Sequence, residues 1–169
     1  MRAAVCRTYG PPEVVAIDEV PASEVGPGQA KVRVHAAAVN HPDALIVAEE
    51  YQVSAPLPFV PGSEFAGEVT EVADDVDTVA VGDRVFGTAF VGAFAEEIVV
   101  GASSLTPIPL GVADETAAAF GVAHRTAYHV LRSVARVQPG EELVVLGAGG
   151  GDGYVGGAAS GEVGIGQSV

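Results

Sequence analysis

The sequence predicts an α+β fold: short strands that close as a barrel or sandwich, a helical extension, and one parallel-type strand running into glycines. Three observations predict it. Val-rich, often alternating runs recur from residue 1 to about 110, each bounded by turns rich in Gly and Pro. Ala- and Leu-rich stretches with acidic first turns take over at residue 114. An all-apolar run, ELVVLG at 142–147, then leads directly into a glycine cluster.

The candidate strands are MRAAVC (1–6), EVVAIDEV (13–20), AKVRVHAAAV (30–39), FAGEVTEVA (65–73), DRVFGTAF (83–90) and AFAEEIVV (93–100). Turn chemistry separates them in YGPPE, VGPGQ, APLPFVPGSE and AVGD, which favours a barrel or sandwich over a parallel sheet. One helical insert, NHPDALIVAEE, interrupts the strands. Asn40 suits its N-cap, Pro42 an early helical position, and Asp43 the return half of a capping box. Further on, helices are expected at roughly 114–120 and 122–136, with Pro139-Gly140 ending the second.

The last 23 residues hold 10 of the 22 glycines. Each glycine inside a helix costs about 1 kcal/mol relative to Ala, so no helix is expected after the glycine turn. No second strand is expected to follow either, leaving ELVVL without parallel neighbours and as an exposed apolar edge. The expected organisation is 1–113 as the strand-rich domain, 114–153 as a helical bridge with the start of a second domain, and 154–169 as a disordered glycine-rich tail.

Bulk properties exclude several classes. The chain of 169 residues carries a formal net charge of −14, with 22 acidic residues against seven Arg and the single Lys31. A surface able to neutralise phosphates is missing, which argues against nucleic acid or anionic lipid as a partner. The lone Cys6 rules out an internal disulfide and a four-cysteine zinc lobe, and it reads as a buried strand residue. No signal peptide or membrane-length apolar helix is apparent, so a cytoplasmic location is expected. No G-x-S-x-G nucleophile elbow is present, which removes the serine hydrolase reading.

Seven stretches, taken in order, carry a family resemblance: GPPEV (10–14), GPGQAKVRVHAAAVNHPDALI (26–46), LPFVPGSEFAGEVTEV (57–72), VGDRVFG (81–87), GAFAEEIVV (92–100), AAAFGVAHRTAYHVL (117–131) and QPGEELVVLGAGGG (138–151). Together they resemble the medium-chain dehydrogenase/reductase superfamily, and within it the zinc-independent quinone oxidoreductase (zeta-crystallin-like) branch. The resemblance implies a GroES-like β-barrel as catalytic domain, then a Rossmann domain binding NADPH. The strand at 142–147 would be the first of that Rossmann sheet, so the chain is expected to be C-terminally truncated, with a frame change in the glycine run as its expected origin. The family homodimer is expected to be lost with the missing domain.

Ala148 to Gly153 fits the pattern A-x-G-x-x-G, making Ala148, Gly150, Gly151 and Gly153 the candidate cofactor residues. Such a turn lets the backbone approach a pyrophosphate at a helix N-terminus. Asp152 sits inside it, where a carboxylate opposes that charge. By resemblance, Asn40 and Tyr51 line the pocket where nicotinamide and substrate meet, and Thr126 contributes to cofactor binding. The implied reaction is hydride transfer from NADPH to a small quinone or enone. Donors aimed at the acceptor oxygen would stabilise its developing charge, and the Asn40 amide and Tyr51 hydroxyl can each donate. Tyr51 can also deliver a proton.

Zinc-dependent relatives place a cysteine and a Gly-His-Glu motif where this chain has Asn40-His41 and Gly62-Ser63-Glu64. Only His41 and Glu64 remain as ligand types there, short of the three that a catalytic zinc needs, so no metal is expected. Glu64 is read instead as a local hydrogen-bond acceptor. His35, His124 and His129 are read as structural. By itself the chain is expected to be weakly active or inactive. Two alternatives stand beside the quinone/enone reading: a 2-enoyl-thioester reductase of the same superfamily, and a non-catalytic barrel remnant or interaction module.

Overall fold

The computed structural model describes residues 1–138, 140–145 and the backbone of 166–167. The chain divides into two compact units, Met1–Ala119 and Phe120–Val169.

The first unit is built on antiparallel strands. Strands β1 (Arg2–Cys6) and β2 (Val15–Glu19) form a hairpin. Strands β3 (Gln29–Ala38), β4 (Glu64–Val72), β5 (Arg84–Thr88), β6 (Glu97–Gly101) and β7 (Leu105–Pro107) form a five-stranded sheet in the order β6-β3-β4-β5-β7. Main-chain bonds from Ala4 N to the Phe94 carbonyl (2.8 Å) and from Glu96 N to the Arg2 carbonyl (3.1 Å) join β1 to this sheet. All six predicted strands are present. The short β7 was not predicted, since LTP offers too few residues for an alternating pattern.

The alternation of β4 explains the interior. Phe65 and Val69 enter the main core with Ala30, Val32, Val85, Ile98 and Leu105. Ala66, on the opposite face, lies under helix α2 (Asp114–Ala118) with Ile108, Ala117 and Ala118. Hence the start of β4 is buried on both faces, as its near-continuous apolar run FAG requires. In β3 a bulge at His35 does related work. Val32 pairs with Val69 and Val34 with Gly67, but Ala36 pairs with Ala66. The extra residue shifts side-chain parity, turning Ala36 toward the α2 cluster while Val34 stays on the core side. His35 itself reaches Asp114 at the head of α2 (Nδ1 to Oδ2, 2.8 Å), and Arg84 from β5 grips the other oxygen of the same carboxylate. The His35 contact, then Arg84, hold the Asp114 carboxyl below its ordinary range.

Gly67 has a steric reason to be glycine. A Cβ there would overlap the Arg33 carbonyl oxygen and stand 3.1 Å from Val34 Cα, so β3 and β4 approach too closely for any side chain. Helix α1 (His41–Ala48) packs Ile46 and Val47 against Cys6, Ala55 and Phe59. Cys6 is fully buried, as expected of a strand residue, and burial pushes its thiol pKa up.

The first unit extends past residue 113, because α2 belongs to it. In the second unit, α3 (Ala123–His129) continues into π-helical turns at Val130–Val134, and Arg136 leaves in a left-handed conformation (φ 54°). Leu131, Val137 and Leu143 pack together there. The expected strand at 142–147 is present as β8 (Glu142–Leu143), while 146–147 lie outside the described residues.

One expectation is overturned. A second strand does follow: β9 (Gly166–Gln167) pairs in parallel with β8, Glu142 opposite Gly166 and Leu143 opposite Gln167. Helix propensity was the wrong criterion there. Glycine disfavours a helix, but two paired residues need no helix, and 144–165 exceeds the dozen or so residues that a parallel connection requires. No helix among the described residues is long and apolar enough to cross a membrane.

Candidate functional site

Asn40 stands where β3 ends and α1 begins, with extended backbone angles (φ −118°, ψ 156°) suited to an N-cap. Its own N–H donates to Asp43 Oδ2 at 2.7 Å, the return half of the capping box that the sequence suggested. Its side chain does something the cap does not require. Nδ2 donates to Glu64 Oε1 at 2.7 Å, reaching from the end of β3 to the first residue of β4. Glu64 is therefore an acceptor as read, but its partner is distant in sequence rather than local.

Asp43 and Glu64 are 3% and 1% exposed, the only buried charged side chains among the described residues. Burial pushes the Asp43 carboxyl above its ordinary range; the Asn40 N–H and the neighbouring Ser63 hydroxyl oppose that shift. Asp43 Oδ1 and Ser63 Oγ are both buried, and the contact between the two side chains falls short of good hydrogen-bond geometry. The approach to Ser63 and Glu64 is set by Gly62, whose φ of 99° and closeness to the Phe94 ring exclude a side chain.

Tyr51 follows the far end of α1, beyond Glu49, which caps the helix in a left-handed conformation (φ 61°). The residue is 36% exposed. An eight-residue helix spans about 12 Å, so Asn40 and Tyr51 stand at opposite ends of α1 rather than side by side. Thr126 lies on α3 in the second unit, with an exposed side chain. The candidate residues Ala148, Gly150, Gly151 and Gly153 lie outside the described residues.

His41 is exposed on the first turn of α1. Among the described residues no three His, Cys, Asp or Glu side chains gather as a metal site. His35 pins α2 through Asp114, and His124 stacks on Phe120 with ring centroids 4.8 Å apart. Sequence reasoning missed the joint role of Asp43 and Glu64. The available signal was a Glu opening an otherwise apolar strand, EFAG, where alternation alone leaves a charge facing inward.

Fold and site together describe a GroES-like barrel whose best-held polar group is an asparagine amide. The family model of the alcohol dehydrogenase GroES-like domain matches residues 26–110. Quinone oxidoreductase-like protein 2 of Mus musculus is 41% identical over 152 residues, covering 90% of this chain and 43% of that protein. A probable oxidoreductase from Mycobacterium abscessus superposes with a TM-score of 0.93 at 32% identity, over 99% of this chain and 54% of that one. The quinone oxidoreductase of Thermus thermophilus, solved also in complex with NADPH, gives a TM-score of 0.87 at 30% identity, over 99% and 52%. This chain belongs to the alcohol dehydrogenase GroES-like domain family. It spans less than half the length of the curated relative above.

Proposed function

We propose that this chain supplies the catalytic barrel of an NADPH-dependent quinone or enone reductase. The observation that carries the reading is the orientation of Asn40. An ionised carboxylate only accepts, so Glu64 at 2.7 Å requires the NH2 side of the amide to face it. The amide carries a second N–H, and that donor suits an acceptor oxygen that gains negative charge during hydride transfer. Tyr51, exposed past the other end of α1, is the candidate that closes over a bound acceptor and provides its proton.

The donor set fits a nicotinamide dinucleotide in two respects. The parallel β8–β9 pair brackets the segment 144–165, whose sequence contains the A-x-G-x-x-G pattern at Ala148–Gly153. Thr126 offers a hydroxyl on the exposed side of α3, a group suited to a carboxamide. The bound dinucleotide supplies the hydride; Asn40 and Tyr51 bind and polarise the acceptor. The NADPH complex of the Thermus thermophilus relative supports this choice of cofactor. The 2-enoyl-thioester reductase reading has less support, because the mouse relative and the Thermus thermophilus structure carry quinone oxidoreductase in their names.

By itself, with β8 and β9 as the one parallel strand pair among the described residues, the chain turns over weakly or not at all. Two measurements test the reading. NADPH fluorescence should report saturable binding, and NADPH oxidation with duroquinone should run far below the rate of a full-length relative. Absence of NADPH binding would favour the non-catalytic barrel module. Turnover matching a full-length relative would refute the low-activity part.

A further inference from the structure

Resting on the reading of Asn40 above, we propose that Glu64 is a positioning residue, which holds the Asn40 carboxamide so that its second N–H meets the carbonyl oxygen of the acceptor. Burying a carboxylate is costly unless it is well bonded, and this chain buries two of them around one asparagine. Helix capping accounts for the first. Asp43 takes the Asn40 main-chain N–H, as any capping box would. Capping does not account for the second, because Glu64 grips the side-chain amide from another strand.

The placement of Glu64 suits orientation. Its main chain is paired on both sides, opposite Ala38 of β3 and Thr88 of β5, at the start of the central strand β4. Ala38 is the last residue of β3, just before the segment that carries Asn40. Strand and cap are thereby locked to each other, and a functional group held by packed strands is set more tightly than one held by a loop. The acceptor-only carboxylate also removes the two-fold ambiguity of an amide, since the flipped amide would oppose two oxygens. What this arrangement selects is an electron acceptor with an oxygen at the polarised end, a quinone or enone carbonyl. Asn40 donates a hydrogen bond and transfers no proton.

The test uses the full chain labelled with nitrogen-15, as wild type, E64A, E64D and E64Q, with duroquinone as probe. Backbone fingerprints and melting temperatures first report which variants fold. In wild type the Asn40 side-chain NH2 should exchange with solvent roughly tenfold more slowly than in E64A, as expected for a bond to a charged acceptor. Duroquinone should shift that same NH2 resonance, bind about tenfold more weakly to E64A, and recover in part in E64Q, whose Oε1 still accepts but whose NH2 also admits the flipped amide. E64D keeps the charge but shortens the reach, and should behave like E64A; it carries the test if E64A does not fold. A folded E64A or E64D with unchanged exchange and unchanged quinone affinity overturns the positioning role, while a quinone-induced shift at Asn40 keeps the proposed function. Duroquinone that leaves the wild-type Asn40 resonance unmoved overturns both, even where the exchange contrast is present.

Discussion

Replacing Asn40 by aspartate turns the central hydrogen bond of the site into a repulsion whose size can be worked out. The new carboxylate would stand where Nδ2 now lies, 2.7 Å from Glu64 Oε1. Two charges about 4 Å apart at an effective dielectric constant near 20 repel by about 4 kcal/mol. That repulsion raises the pKa of the pair's second ionisation. A raised folded-state value means the folded variant holds a proton that the unfolded chain has already released. Stability therefore falls as pH rises from the acid range. N40D should lose about 1–2 kcal/mol at pH 5 and about 4 kcal/mol at pH 8, against a typical total of about 5–15 kcal/mol. Aspartate caps helices as well as asparagine does, so the cap itself adds nothing to this difference. Urea unfolding followed by far-ultraviolet circular dichroism reads it out. With a slope of about 2 kcal/mol/M, the midpoint should drop by about 2 M at pH 8 and by less than 1 M at pH 5. An equal drop at both pH values would refute the pairing of Asn40 with a buried carboxylate.

Gly67→Ala should cost about 3 kcal/mol, the upper end for overpacking, because the obstacle is the Arg33 carbonyl rather than a movable side chain; a loss under about 0.5 kcal/mol in the same urea assay would contradict the strand spacing. The raised pKa of Asp43 makes its ionisation unfavourable in the fold, so it removes stability as pH climbs above the ordinary value of 3.8. D43N should accordingly melt higher relative to wild type at pH 7 than at pH 4, and a difference independent of pH would count against a buried, destabilised carboxylate. Asp114 behaves oppositely: its lowered pKa adds stability above 3.8 that is lost as pH falls through the folded-state value. D114N should flatten the acid limb of the melting curve below pH 4; an unchanged limb would mean that His35 and Arg84 do not hold that carboxylate.

Much of the barrel was legible because its signals are local. Valine alternation and Gly/Pro turns mark strands wherever they occur, and Asn-x-x-Asp ahead of an apolar run marks a helix start. Hence β1 to β6 and α1 stand where the sequence puts them. What stayed illegible depends on partners. β7 is too short to show a period, and β9 exists only because β8 lies beside it. The change of face at His35 arises from a bulge, which pairing with β4 defines and composition does not reveal. In the site, Asn40 was readable as a cap, whereas its hold on Glu64 required two strand ends to meet.

The sequence by itself determined the class: a strand-rich barrel of the GroES-like kind, leading through helices to a further strand. Periodicity, turn residues and motif order are properties of neighbouring residues, so they survive without coordinates. Tertiary structure alone decided that two carboxylates would be buried and that Glu64 would join Asp43 on Asn40. Desolvation and hydrogen-bond partnership depend on what folds over a group, and a linear string does not record that.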